Sequence, residues 1–319
     1  MILKYSYAIG CLVQWSEVDI LEEYVESVNN ALEQLENPEN VIVDFYVNMN
    51  QDLEKCEDDK KLKEIENKLK KLLDNMFFNV KFTYDKIYTI ADYRRDFNNK
   101  YCDVVDVLMW GETDSLIPRQ TFMVLDGIHH QAKEKTPKYV LTFGICKMWD
   151  DSWKVIEHNE FTDKPFIEND YDNWWSLKYT MNIDEMNKFN DKVTELDVQV
   201  FDRFKFNGCG LVFSSEVVRS GANIPRSVFF VHEDTSFMLS MQKMFGNTIP
   251  QFIVKNILIV HNRNHPKKRM YVSGESGQTM NLKRRSNDWY VKANQYSEHN
   301  CYNWDKQVKS YNWGDVFDD

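Results

Sequence analysis

The chain has 319 residues, 43% hydrophobic and 14% aromatic, enough for one large α/β domain or two small ones. The net charge of −11 argues against non-specific nucleic-acid binding by the whole surface. No apolar run approaches the roughly 18 residues of a membrane span. Six scattered cysteines without a CxxC pair are typical of reduced thiols in a cytoplasmic protein. The apolar N-terminus lacks a basic region and a cleavage site, so it predicts a first strand rather than a signal peptide.

The first third of the chain alternates between strand and helix patterns. Strands are predicted at 4–14, 41–47, 77–82 and 104–110, and helices at 17–35, 52–74 and 92–100. This order implies parallel strands joined by right-handed crossovers. Ligands of such sheets bind beyond the carboxyl ends of the strands.

The second half is less regular. The predicted elements are a helix at 120–132, a strand at 139–149, a hairpin through 150–152, an irregular aromatic segment at 159–178, a helix at 183–193, a strand at 204–213 interrupted by glycines, a helix at 232–246 and a short strand at 257–260. The stretch from 262 to 292 then carries eight basic residues against two acidic ones. The last 25 residues are polar and aromatic, which favours wrapping around the domain over folding alone.

Two carboxylates follow the fourth strand. Glu112 and Asp114 are two residues apart, so in extended chain their side chains point the same way. A strand end would aim both into one cleft, where a hard divalent cation can bridge them to a phosphate. Acidic residues after a strand are also common as ordinary solvated turn residues.

Five motifs occur in an order that resembles a known family. They are YRRDFNNKY with Arg94 and Arg95, GETD with Glu112 and Asp114, FNGCGLVF, HEDTSFM with Glu233 and Asp234, and ILIVHNRNH with His261. Together, over about residues 5 to 262, they resemble the GT-A-fold, family-2-like inverting glycosyltransferases, which use nucleotide-sugar donors. One departure is that the first acid of the DxD-like motif is Glu112 rather than aspartate.

The resemblance implies a single α/β GT-A (Rossmann-like) domain at 1–262, with a central, mostly parallel sheet flanked by helices. Its nucleotide-binding half would be 1–114 and its acceptor half 115–262, followed by a basic and then aromatic extension at 263–319. The donor would most simply be a UDP-sugar, held with a divalent metal.

The resemblance also implies a metal site. Asp114 is the first-choice ligand, and Glu112 would help to hold the metal or the ribose. His261 would add a nitrogen ligand, which favours Mn²⁺ over Mg²⁺ because Mg²⁺ prefers oxygen. The competing interpretation of His261 is a hydrogen-bonded structural histidine on an apolar strand.

Basic residues would hold the donor diphosphate. Arg94 or Arg95 would contact the nucleotide or its phosphates through charge-assisted hydrogen bonds. Lys267 and Arg269 of the basic stretch would close over the diphosphate. Arginines on a short helix are otherwise usually solvated.

The acceptor would be deprotonated near the start of the 232–246 helix. Asp234 would be the general base, with Glu233 as the fallback, and attack opposite the leaving phosphate would invert the anomeric centre. A carboxylate at a helix start is, on the other hand, often only a cap. Trp174 and Trp175 would form an acceptor platform, or pack as core or lid residues.

The acceptor and the class of activity remain open at this point. A glycan or glycoconjugate is the expected acceptor, and the basic stretch raises DNA with hydroxylated bases as the alternative. A nucleotidyltransferase also places paired carboxylates after a parallel strand, but it normally has a glycine-rich phosphate loop near the N-terminus, where this chain has only Gly10 before Gly111. The non-enzyme alternative is an inactive glycosyltransferase-like binding protein.

Overall fold

The computed structural model describes residues 1–145, 182–201, 208–246, 248–261, 282–284 and 287–317. The strands are β1 (Tyr7–Gln14), β2 (Val41–Asn48), β3 (Glu54–Cys56), β4 (Phe78–Thr83), β5 (Val107–Trp110), β6 (Ser115–Leu116), β7 (Val140–Ile145), β8 (Val198–Phe201), β9 (Val212–Ser214), β10 (Gln251–His261) and β11 (Leu282–Arg284). The helices are α1 (Val18–Leu32), α2 (Asp59–Leu72), α3 (Ile90–Tyr101), α4 (Thr121–Ala132), α5 (Ile183–Asn190), α6 (Ser215–Arg219), α7 (Glu233–Phe245), α8 (Asn287–Asn303) and α9 (Trp313–Phe317).

A mixed sheet organises the described residues, in the order β4-β2-β1-β5-β9-β7-β10-β6, with β8 also pairing with β10. Strands β4, β2, β1 and β5 are parallel neighbours, and β7 pairs in parallel with β10. Strand β9 is antiparallel to both β5 and β7, so β5, β7 and β10 run in one direction. The predicted class, an α/β fold with a central, mostly parallel sheet flanked by helices, is confirmed.

Alternating side chains of the central strands face two apolar cores. In β1, Ile9 and Val13 pack in the core beneath α1 and α4, whereas Leu12 packs in the core beneath α3, α6 and α7. In β5, Met109 faces the first core and Trp110 the second. This period-two alternation places a layer of helices on each face of the sheet.

Several predicted boundaries were wrong. The predicted helix at 52–74 is in fact a short strand, β3, followed by the helix α2. The carboxylate of Asp58 caps the start of α2 by accepting from the N–H groups of Lys60 and Lys61. Strand β5 begins only at Val107, since Val104 lies in a turn and is exposed. The last predicted strand, 257–260, is the end of the much longer β10.

The predicted strand at 204–213 is confirmed only for Val212 and Phe213 among the residues that the structure describes. Residues 208–211 form a turn and β9 starts at Val212, while residues 202–207 lie outside the described residues. Also outside are the predicted hairpin at 150–152 and the aromatic segment at 159–178, with Trp174 and Trp175. The same is true of Lys267 and Arg269.

The described part of the C-terminal segment packs back onto earlier parts of the chain. Strand β11 pairs antiparallel with β3, and α8 lies against α7. Trp289 and Val316 form an apolar cluster with Phe229. The seventeen-residue helix α8, which the sequence analysis missed, begins before the last 25 residues and runs into them.

Candidate functional site

Glu112 and Asp114 lie in a tight turn rather than in extended chain. The N–H of Ser115 donates to the carbonyl oxygen of Glu112 at 3.0 Å, which closes the turn after β5. Strand β6 then pairs antiparallel with the end of β10, and this register places Ser115 opposite His261. The pairing of β6 with β10 therefore brings the two carboxylates to the histidine. The alternation of side chains predicted for an extended strand is not the cause.

His261 faces both carboxylates from the carboxyl end of β10. Its Nε2 atom is 3.2 Å from Oε2 of Glu112 and 3.7 Å from Oδ2 of Asp114. His261 and Asp114 are buried, while the side chain of Glu112 is 22% exposed and gives this cluster its opening to solvent. The structure thus brings together the three residues predicted to hold a metal.

Cys209 is a fourth residue at the same place, and sequence reasoning missed it. Its Sγ atom and one donor atom each of Glu112 and His261 all lie within 4.8 Å of one another. The hydroxyl oxygen of Ser115 is 3.1 Å from that sulfur. We refer to Glu112, Asp114, Cys209 and His261 as the metal side.

The metal side fits a divalent cation by the chemistry of its donors. Carboxylate, imidazole and thiol groups are the ligand types that divalent first-row transition metals accept in proteins. His261 Nδ1 is buried and has no hydrogen-bond partner within the described ranges, while its Nε2 lies 3.2 Å from Oε2 of Glu112.

Charge in this cluster raises the pKa of His261. Burial opposes this shift, but Cys209, Asp114 and Glu112 together hold the pKa well above its ordinary value. This shift refers to the cluster without a cation, and an imidazole that binds a metal must first lose that proton.

Arg94 connects this cluster to the start of α7. Its side chain is 1% exposed, and its guanidinium donates at 2.6 Å to Oε1 of Glu112 and at 2.6 Å to Oε1 of Glu233. It lies over the ring of Trp110, 4.6 Å from the centroid, and also donates to the carbonyl of Gly208. The N-cap of α3 at Thr89, closed by a capping box with Asp92, fixes the helix that carries Arg94.

Glu233 and Asp234, which we call the base side, open α7. Glu233 is 8% exposed and paired with Arg94, whereas Asp234 is half-buried. The N–H of Gly208 donates to Oδ2 of Asp234 at 3.1 Å, and the N–H of Thr235 donates to Oδ1 at 2.6 Å. Gly208 therefore touches both Arg94 and Asp234.

Burial dominates the acid–base behaviour of Glu233. It raises the pKa of this carboxyl to about 7, against the opposing charge of Arg94 and with the help of Asp234. Glu233 lies against Arg94 in the interior, and Asp234 is the more exposed of the two carboxylates.

Two glycines allow the loop to fit between these groups. A Cβ atom on Gly208 would collide with Nη1 of Arg94. Gly210 has a φ of +61°, and a Cβ there would lie 2.6 Å from Cδ1 of Ile259. The signal that sequence reasoning could have used for Cys209 is this Gly-Cys-Gly triplet, in which the thiol is held between two positions of close backbone approach.

Arg95 is not brought to this cluster. Its guanidinium donates to Asp92 at 2.5 Å and to the backbone carbonyls of Pro225 and Val228. It therefore ties α3 to the loop before α7, on a different face of the helix from Arg94.

The comparisons with known proteins give fold-level similarity at low identity. No family model and no curated protein matches the sequence. Among solved structures, the chain is similar to S. aureus TarS 1-349 in complex with UDP-GlcNAc (11% identity, TM-score 0.39, covering 78% of this chain and 58% of that one). It is also similar to GalNAc-T7 with UDP, GalNAc and Mn²⁺ (10%, 0.47, 98% and 53%).

A third similar structure is the 4-diphosphocytidyl-2C-methyl-D-erythritol synthase from Anaerococcus prevotii (11% identity, TM-score 0.39, covering 84% of this chain and 98% of that one). The chain spans little more than half the length of the TarS and GalNAc-T7 chains. No helix of the described residues is long and apolar enough to cross a bilayer.

Proposed function

We propose that the chain is a metal-dependent, inverting glycosyltransferase of the GT-A type, which moves a sugar from a nucleotide-sugar donor to a hydroxyl group. The proposal depends on one observation, that the metal side and the base side lie next to each other at the carboxyl ends of the strands. Glu112 follows β5, His261 ends β10, and Asp234 opens α7, and a single buried arginine contacts Glu112 and the neighbour of Asp234.

The metal side would hold the donor diphosphate. A divalent cation bound there neutralises the negative charge that develops on the leaving nucleoside diphosphate. Asp114 and His261 would be its protein ligands, and Glu112, the most exposed of the group, would also reach the ribose hydroxyls. Mn²⁺ suits this mixture of oxygen and nitrogen donors better than Mg²⁺.

The base side would activate the acceptor. Asp234 is open to solvent on one side, and the N–H groups of Gly208 and Thr235 fix its orientation. It would take the proton of the acceptor hydroxyl, which then attacks the anomeric carbon opposite the leaving diphosphate and inverts the centre. Glu233, paired with Arg94, would hold the start of α7 in place.

The chemical classes of the donor and the acceptor are proposed from the resemblance of the motifs to the glycosyltransferase family, not from contacts in the structure. A UDP-sugar is the proposed donor, and a glycan or glycoconjugate hydroxyl is the proposed acceptor. Trp174 and Trp175 remain proposed acceptor contacts, and Lys267 and Arg269 remain proposed phosphate contacts. All four lie outside the described residues.

The test is a screen of donor consumption. The purified chain is incubated with UDP-, GDP-, CMP- and dTDP-sugars and Mn²⁺, and the released nucleotide is quantified. We expect one donor class to be consumed by the wild type and by the control Asp191→Asn, which alters only an exposed ion pair with Arg119. Asp114→Ala and Asp234→Ala should each abolish consumption while keeping the folded circular dichroism spectrum.

Two results would contradict the proposal. Turnover that survives both substitutions would show that the site is elsewhere. Release of pyrophosphate from a nucleoside triphosphate and a sugar phosphate, with no consumption of any nucleotide sugar by transfer, would instead identify a nucleotidyltransferase.

A further inference from the structure

A thiol lies among the groups that face the proposed cation. Cys209 Sγ, a carboxylate oxygen of Glu112 and a ring nitrogen of His261 are mutually within 4.8 Å. Four ligands at the usual metal distances of about 2.0–2.3 Å would be separated from one another by roughly 3.3–3.7 Å in a tetrahedral site. His261 Nε2 is 3.2 Å from Oε2 of Glu112 and 3.7 Å from Oδ2 of Asp114, both close to this spacing. The three residues whose donor atoms are mutually within 4.8 Å are Glu112, Cys209 and His261.

The backbone holds the thiol at this place. Cys209 is buried, and the glycines on either side press against Arg94 and against Ile259 of β10. The loop therefore passes close to a buried ion pair and to a core strand, at two positions where a side chain would not fit. The hydroxyl of Ser115, 3.1 Å from the sulfur, is placed to donate a hydrogen bond to a thiolate.

We infer that Cys209 is a metal ligand, and that this site selects a thiophilic divalent ion such as Zn²⁺ or Co²⁺ over Mg²⁺. Glu112, His261 and Cys209 would supply one donor each, and Asp114, already proposed as a ligand, would supply the fourth. On binding, the thiol of Cys209 and the imidazolium of His261 would each lose a proton to solvent, and the sulfur and the ring nitrogen would each bond to the metal. Cys209 would add to the preference against Mg²⁺ that His261 already gives, because soft thiolate ligands favour Zn²⁺ and related ions, while Mg²⁺ requires oxygen.

This inference deepens the proposed function by naming the ligand that sets metal preference at the same site. Its own readout is spectroscopic and does not need turnover. Cobalt bound to a thiolate gives an intense charge-transfer absorption in the near ultraviolet, which cobalt bound to oxygen and nitrogen ligands lacks.

The experiment is a Co²⁺ titration of the metal-free full chain, followed by Zn²⁺ competition. The variants are Cys209→Ser and, as the matched control, Cys102→Ser, a buried cysteine at the end of α3. We expect the near-ultraviolet band in the wild type and in Cys102→Ser, and its loss in Cys209→Ser. Zn²⁺ affinity of Cys209→Ser should fall at least about tenfold, while Mn²⁺ affinity should change less than about threefold.

The inference is overturned if the wild type binds Co²⁺ without this band, binds no Co²⁺ at all, or keeps the band in Cys209→Ser. The wild-type spectrum decides the first two outcomes even if a variant fails to fold. Donor consumption with Mn²⁺ is measured separately. A missing band with active transfer removes only the cysteine ligand, and a band without transfer removes only the proposed activity.

Discussion

The metal side and the base side are built in opposite ways. The metal side draws Glu112, Asp114, Cys209 and His261 from three separate parts of the chain, joined by a two-residue strand and a glycine-flanked loop. The base side consists of two consecutive residues at the start of one helix. Among the described residues, Arg94 and Gly208 connect the two sides, which otherwise rest on different elements. We therefore expect mutations to separate their contributions.

Asp234→Asn should remove the proposed general base and leave the metal side unchanged. We expect turnover to fall by about 10²–10⁴-fold, because an amide cannot accept the acceptor's proton. Metal affinity should not change, since the amide oxygen can still accept from the N–H of Gly208. Initial rates and Mn²⁺ titration measured on the same preparation check both statements, and a parallel loss of metal binding would show that the two sides are not separable.

Arg94→Met should break the connection between the two sides. Glu112 and Glu233 would lose their shared buried partner, and an uncompensated buried charge costs about 3–5 kcal/mol of unfolding free energy. Urea denaturation measures this loss. The control Arg119→Met removes an exposed pair and should cost no more than about 1 kcal/mol. Equal losses in the two variants would contradict the role given to Arg94.

Asp114→Asn should weaken the metal side while leaving the base side intact. Loss of a ligand charge should lower Mn²⁺ affinity by at least about 10–100-fold, with a smaller effect on turnover at saturating metal than Asp234→Asn has. Equilibrium dialysis gives the affinity. Unchanged affinity would show that Asp114 does not face the cation, in spite of its 3.7 Å approach to His261.

Glu233→Gln should have the smallest effect, on the pH dependence of stability. The folded pKa of Glu233, about 7, is above its ordinary value of 4.5 because of burial. The folded protein therefore keeps a proton that the unfolded chain loses between these two values, and the unfolding free energy falls as pH rises from about 4.5 to about 7. The variant should lose this part of the slope in urea titrations, whereas Glu216→Gln, at an exposed glutamate, should keep it.

The first half of the fold was predictable because the hydrophobic residues of its helices and strands recur in recognisable patterns. Amphipathic spacing marks α1, and apolar runs mark β1, β2 and β5, whose order alone implies parallel pairing. Glu112, Asp114 and His261 were predicted as one site from motif order, and the structure does place them together.

The missed features have no such signal. Strand β6 is two residues long, too short for any periodicity, yet it brings His261 to the carboxylates. Arg94 looks like a solvated helix residue, because nothing in the sequence shows that two distant glutamates neutralise it in the core. Cys209 has only its two flanking glycines as a local signal, because the sequence does not show that the loop before β9 lies beside Glu112 and His261.

The pairing of β6 with the end of β10 also orders events during synthesis. His261 follows Glu112 by roughly 150 residues, and contacts of such long sequence separation form late because the loop between them must first close. On the ribosome, β1, β2, β4 and β5 are translated well before β10. A nascent chain halted before residue 251 should therefore already carry the parallel strands but lack the imidazole that completes the cation-facing group.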